Sequence, residues 1–264
     1  MRAEVVYKMM PEEWELRKKE VELKYLEARL AQRELDLTTF YAELRIFHAH
    51  YLKILGGLYS KLDELTAQIA ELESQSRPDD SEMRQKAAQA RTQATESARA
   101  AGEAKQKPAY QFKPSDNIKK LYREVAKRIH PDLATDDKKR IQYQQLMAEA
   151  NRAYEEGDEV RLQAILHQWE SSPESVKGDG PGAMLIRVIR KIARVRERLH
   201  AIEEEMDQLK ETPLFQLKMK VEEAERKGRN LLSEMAVFLT QQIARAREQL
   251  IILKLKIGAG RRVS

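Results

Sequence analysis

The stretch Ile118-Lys-Lys-Leu-Tyr-Arg-Glu-Val-Ala-Lys-Arg-Ile-His-Pro-Asp132 decides how this chain is read. Ile118, Tyr122, Val125 and Ile129 recur at spacings of four, three and four, which aligns them along one face of a helix. At roughly 100° per residue, Lys119, Lys120, Arg123 and Lys127 form one basic stripe on the other side, with Glu124 just outside it. Pro131 disfavours helical geometry at His130, so the basic helix ends there and the imidazole is expected exposed on a turn. A second helix follows at once. Asp136 or Asp137 can cap it, Tyr143, Met147, Ala150 and Tyr154 give it an apolar face, and Gly157 supplies a stop. The two helices should make an antiparallel hairpin with His130-Pro131-Asp132 at its tip.

Together with Asn151-Arg-Ala-Tyr154, this run resembles helices two and three of the DnaJ-type J-domain, over residues 116 to 156. In that family the His-Pro-Asp turn and the basic helix before it dock on a DnaK-type chaperone and stimulate its ATP hydrolysis. Carried over by position, the resemblance makes His130, Pro131 and Asp132 the activating motif. It makes Lys119, Lys120, Tyr122, Arg123 and Lys127 the docking face. Glu124 stands where the family usually keeps a basic residue. The family's first helix has no counterpart upstream, because Lys107-Pro-Ala-Tyr-Gln-Phe-Lys-Pro114 is too short and too rich in proline. A substitute follows the hairpin instead. Asp158 reads as the N-cap of a helix with Leu162, Ile165, Leu166 and Trp169 on its apolar face, ended by Ser171-Ser-Pro173.

Composition sets the wider frame. Of 264 residues, 34% are charged and only 6% aromatic, which suits long helices better than one large core. There is no cysteine, so disulfides, iron–sulfur clusters and cysteine-ligated zinc are excluded, including the zinc region of some DnaJ-like proteins. The net charge of +5 comes from interleaved acids and bases, which disfavours nucleic acid as the main partner. Met1-Arg-Ala-Glu-Val-Val-Tyr-Lys carries charge where a signal peptide needs an apolar run, and no window reaches the length of a membrane span. A cytoplasmic protein without membrane contact is the expectation.

Long helical arms flank the hairpin. Pro11-Glu12-Glu13 opens a heptad frame through Leu23, Leu26, Leu30, Leu37, Phe40, Leu44, Phe47 and Tyr51, with Arg33 at a seam position. Steps of four across Phe47, Tyr51 and Leu55, beside Gly56-Gly57, mark a stutter where packing must loosen or bend. Further on, Leu185, Val188, Ile192, Val195, Leu199, Ile202, Met206 and Leu209 make an unbroken three-four repeat. The frame restarts after Thr212-Pro213 with Leu214, Leu217, Val221, Ala224, Leu231, Met235 and Phe238, and its five-residue offset predicts a tight helical hairpin at that Pro, with a kinked helix as the alternative. The seams are buried either by the N-terminal rod folding back on the C-terminal helices or by pairing in a homodimer, the alternative the regular repeat favours.

The expected fold is all-α, with long coiled-coil helices around a small variant J-domain helical hairpin. The expected parts are a tail over 1–11, a coiled-coil helix over 12–73, a flexible linker over 74–113 whose alanine content could support a transient helix between Ser81 and Ala101, and the J-like module over 114–171. A linker over 172–182, a helical hairpin or coiled coil over 183–257 and a tail over 258–264 complete the chain. No nucleophile–base pair, metal-ligand spacing or phosphate loop is present, and the histidines do not group as ligands, so neither an enzyme nor a cofactor or metal site is expected. The leading expectation is a co-chaperone for a DnaK-type chaperone whose arms hold a client, fix its placement or oligomerise. A structural coiled-coil scaffold with a degenerate hairpin is the alternative. A helical nucleic-acid binder using Lys119 to Arg128, or the cluster Arg187, Arg190, Lys191, Arg194, Arg196 and Arg198, is a weaker one; the run Glu203-Glu-Glu205 could neutralise that cluster from a neighbouring helix.

Overall fold

The computed structural model describes residues 11–106, 113–134, 137–170 and 181–260, and among them every regular element is helical. In chain order these are α1 (Pro11–Tyr51), a π-helical turn (Leu52–Gly56), α2 (Gly57–Ser76), α3 (Ser81–Gln106) and α4 (Asp116–Ile129). A 3-10 turn (Pro131–Leu133) leads to α5 (Asp137–Glu156), α6 (Glu159–Glu170), α7 (Pro181–Glu211), α8 (Pro213–Arg226) and α9 (Leu231–Gly260). The fold is all-α. No helix among the described residues is long and apolar enough to cross a membrane. The chain divides into two compact units, one from Met1–Glu43 and Phe112–Thr212, the other from Leu44–Gln111 and Pro213–Ser264.

The first unit is built around the α4–α5 hairpin. Ser115 caps α4 by accepting the Ile118 amide at 3.1 Å, and Ile118, Tyr122, Val125 and Ile129 are buried at the expected spacing. Gly157, at φ +76°, ends α5: the Asp158 amide bonds the Ala153 carbonyl at 2.8 Å and the Gly157 amide that of Tyr154 at 3.2 Å, the Schellman pattern. Asp158 then caps α6, its carboxylate accepting the Arg161 amide at 2.8 Å. The α6 residues Leu162 and Ile165 enter the hairpin core as expected, but they share it with Ala31 and Leu35 of α1, a contributor the sequence reading did not anticipate.

A second cluster of the same unit joins Leu23, Leu26, Leu30 and Leu37 of α1 to Ile192, Val195, Leu199 and Ile202 of α7. Full burial of side chains such as Leu30, Val195 and Ile202 stabilises by about 1.5–3 kcal/mol each. Ion pairs flank this seam at heptad steps: Arg196 meets Glu22 at 2.6 Å and Glu203 meets Arg29 at 3.4 Å. Because both partners advance by seven, α1 and α7 run in the same direction. The frame from Val188 to Leu209 is thus occupied within the chain. Arg33, at its seam position, reaches Glu203 at 3.8 Å. Glu203 therefore neutralises cations of α1, while Arg196 of the basic cluster is neutralised by α1 in turn.

In the second unit the expected stutter is resolved by the π turn at Leu52–Gly56, whose wider coil absorbs the extra residue. Within the stretch expected as a linker, the helix expected as transient over 81–101 runs from Ser81 to Gln106 and packs on α2. Its buried residues Ala87, Ala94 and Ala101 are seven apart, a seam too small in side chain to register as one. Arg91 holds the two helices together, bonding Glu64 at 2.8 Å and Glu71 at 2.7 Å. The helical turn expected at Thr212-Pro213 falls at the boundary between units. The turn that pairs α8 with α9 lies instead at Lys227–Asn230, where Gly228 has φ +73° and another Schellman pattern forms. After that turn α9 buries Leu232, Leu239, Ile243 and Leu250 and keeps the expected Leu231 and Met235 packed against the cluster, but leaves the expected seam residue Phe238 58% exposed.

Candidate functional site

His130 adopts φ −60° and ψ 133°, the extended geometry that Pro131 imposes on its neighbour, and α4 ends there as expected. The exposure does not follow. His130 is only 4% exposed, because the carboxylate of Glu34 on α1 gives its ring a partner inside the unit. The Asp132 amide donates to Nδ1 at 3.2 Å, which leaves Nε2 to carry the hydrogen and donate it to Glu34 Oε1 at 2.8 Å. Arg198 of α7 donates to the same carboxylate, from Nε at 2.7 Å and from Nη2 at 3.2 Å. A guanidinium nitrogen of Arg198 also lies 3.7 Å from Glu205, which accepts a bond from the Tyr41 hydroxyl at 2.6 Å.

The cluster is electrostatically closed. Burial pushes the Glu34 carboxyl up, but the bonds from His130 and Arg198, with the guanidinium charge, outweigh it and hold the group below its ordinary value. Burial likewise pulls the Arg198 guanidinium down, and Glu34 and Glu205 more than reverse this. Beside Glu205 the Tyr41 hydroxyl is pushed up to about 12, by desolvation first and then by its bond to that carboxylate. The rest of the turn is anchored too. Leu133 joins the α1–α7 cluster, and the Ala134 carbonyl accepts from Arg194 at 3.2 Å. Asp132 keeps 29% of its side chain exposed.

The expected docking face separates into outward and inward parts. Lys120 is exposed, and Lys119 and Lys127 are half-exposed beside Asp116 at 3.8 Å and Glu124 at 3.3 Å. Glu124 also meets Arg128 at 3.6 Å, so this acid sits among the cations it was expected to flank. Arg123 donates to Gln32 of α1 at 3.2 Å. Tyr122, expected on the docking face, is fully buried. Its hydroxyl donates to Asn151 at 2.7 Å, lies 3.0 Å from the Thr38 hydroxyl, and its ring sits 5.0 Å from that of Tyr154. The Asn151 and Tyr154 signature therefore builds the hairpin interior.

Sequence reasoning missed Glu34 and Thr38 and read Arg198 as a solvated flank. One signal was available: Glu34 and Thr38 are four apart, on the helix face that also carries Ala31 and Leu35. Nothing in the sequence pairs that face with a histidine 96 residues later. No family model, curated protein or solved structure matches the chain.

Proposed function

We propose that the chain is a J-domain-type co-chaperone, itself no enzyme and acting in the cytoplasm, that stimulates ATP hydrolysis by a DnaK-type chaperone. Its activating turn is held closed by Glu34 and Arg198. The observation that carries this reading is the His130-Pro131-Asp132 turn at the end of the α4–α5 hairpin, with Lys119, Lys120 and Lys127 on the hairpin's outward side. Docking requires His130 to leave Glu34, so the closed form is inactive and the open form active. The helical arms supply the closing residues and a surface for a client.

A second reading, a scaffold in which the hairpin is a structural bracket, is favoured by one observation. His130 makes two hydrogen bonds inside the unit, the pattern of a residue that serves stability. One experiment separates the two. Arg198→Glu places a carboxylate against Glu34 and should open the turn, raising stimulation of a DnaK-type ATPase several-fold over wild type. His130→Gln in that opened background should abolish it. No stimulation by wild type or by Arg198→Glu, in a protein with unchanged helical circular dichroism, establishes the scaffold.

A further inference from the structure

Helix α9 carries large apolar residues on two opposite faces. Leu232, Leu239, Ile243 and Leu250 are buried within the second unit. On the reverse face Val237, Gln241, Ala244, Glu248, Ile251 and Leu255 advance by steps of four, three, four, three and four, and all are exposed. Phe238 and Ile252 flank this outer stripe, also more than half exposed. An isolated exposed leucine needs no explanation, but Val237, Phe238, Ile251, Ile252 and Leu255, all more than half exposed along one side of a single helix, do.

We infer that the outer face of α9 pairs with the same face of a second copy of this chain, antiparallel, about an axis near Ala246. The charges choose the occupant and the direction. In an antiparallel pair Val237 faces the other copy's Leu255, Gln241 its Ile251, and Ala244 its Glu248. Phe238 then packs on the second copy's Ile252. Glu248 meets the small Ala244 with the neighbouring Arg245 beside it, and the two-fold axis makes each such pairing twice. A parallel pair would instead set Glu248 against Glu248 in the middle of the seam, which is repulsive. A lipid surface is disfavoured by the same residue, since a carboxylate and the Gln241 amide would lie along the centre line of the inserted face.

This inference is independent of the chaperone reading. The chain contains no cysteine, so single cysteines report geometry directly. In solution at micromolar concentration the protein should have twice its 30.7 kDa chain mass. Ile251→Glu with Leu255→Glu should return it to the chain mass with unchanged circular dichroism, because both positions are exposed. Arg245→Cys should cross-link to itself on oxidation. Val237→Cys alone should not, since the two copies of that residue would lie about 27 Å apart, whereas a mixture of Val237→Cys and Leu255→Cys proteins should cross-link. A wild-type mass of one chain throughout overturns the inference. So does a dimer that survives the double Glu variant, self-cross-linking of Val237→Cys, or a monomer that sediments with anionic vesicles.

Discussion

His130 Nε2 and Glu34 Oε1 lie 2.8 Å apart, and neither residue exposes more than 5% of its surface. This bond converts the one residue expected to point outward from the hairpin tip into an interior hydrogen-bond donor. It also makes the state of a carboxylate on α1 a determinant of what the turn can do.

Stability should therefore depend on acid in a way that Glu34 controls. Its folded pKa is depressed below 4.5, so its contribution is complete above that value and is lost as pH falls through the folded value. Thermal melts of wild type and Glu34→Gln should differ most near neutrality and converge in acid. Glu34→Ala, which removes the hydrogen bonds from His130 and Arg198 and leaves the guanidinium only Glu205 at 3.7 Å, should cost about 2 kcal/mol at neutral pH. A constant difference across the titration would contradict the assignment.

The protonation pattern of His130 can be read directly. Long-range proton–nitrogen NMR spectra at neutral pH should show Nε2 protonated and Nδ1 bare, because the Asp132 amide points at Nδ1. In Glu34→Ala the ring should lose this preference or shift its resonances strongly. A wild-type ring protonated at Nδ1 would rule out the bonding described.

Tyr122→Phe removes a buried hydroxyl that touches both Thr38 and Asn151. The expected loss is about 1–3 kcal/mol, seen as a lower midpoint in urea. Combined with Thr38→Val, the two losses should be less than additive, since the second change removes the partner the first one strands. Full additivity would mean the hydroxyls do not interact.

Two glycines should respond oppositely to alanine. Gly228→Ala forces a left-handed backbone at φ +73° and should cost about 1–2 kcal/mol. Gly57 has a helical φ of −67° and a built Cβ meets nothing within 4 Å, so Gly57→Ala should stabilise by about 0.5–1 kcal/mol. Paired denaturation curves decide both signs.

The all-α class and the residues of the α4–α5 core were legible because apolar spacing and the Pro131 and Gly157 stops are local signals. For α3 the alanine content shows a helix over 81–101 but not its packing on α2, since a seam of Ala87, Ala94 and Ala101 has little hydrophobic contrast and reads like a linker. The frame carried across Gly228 holds for Leu231 and Met235, which pack against the second unit's core, and fails at Phe238, because the buried stripe of α9 runs through Leu232, Leu239 and Ile243 instead. The His130 environment was illegible in principle. Its determinants, Glu34 and Arg198, are ordinary charges in amphipathic helices until tertiary packing brings them to one turn.

Arg198 lies 164 residues beyond Glu34, so it is the last of the three partners to leave the ribosome. The hairpin and α1 are complete before any of α7 has been translated. Over that interval the His130 turn has only α1 to cover it, and the guanidinium that completes its enclosure is supplied by the final third of the chain. Closure is thus acquired late in biosynthesis, and a ribosome halted before residue 181 displays the turn without its α7 cover.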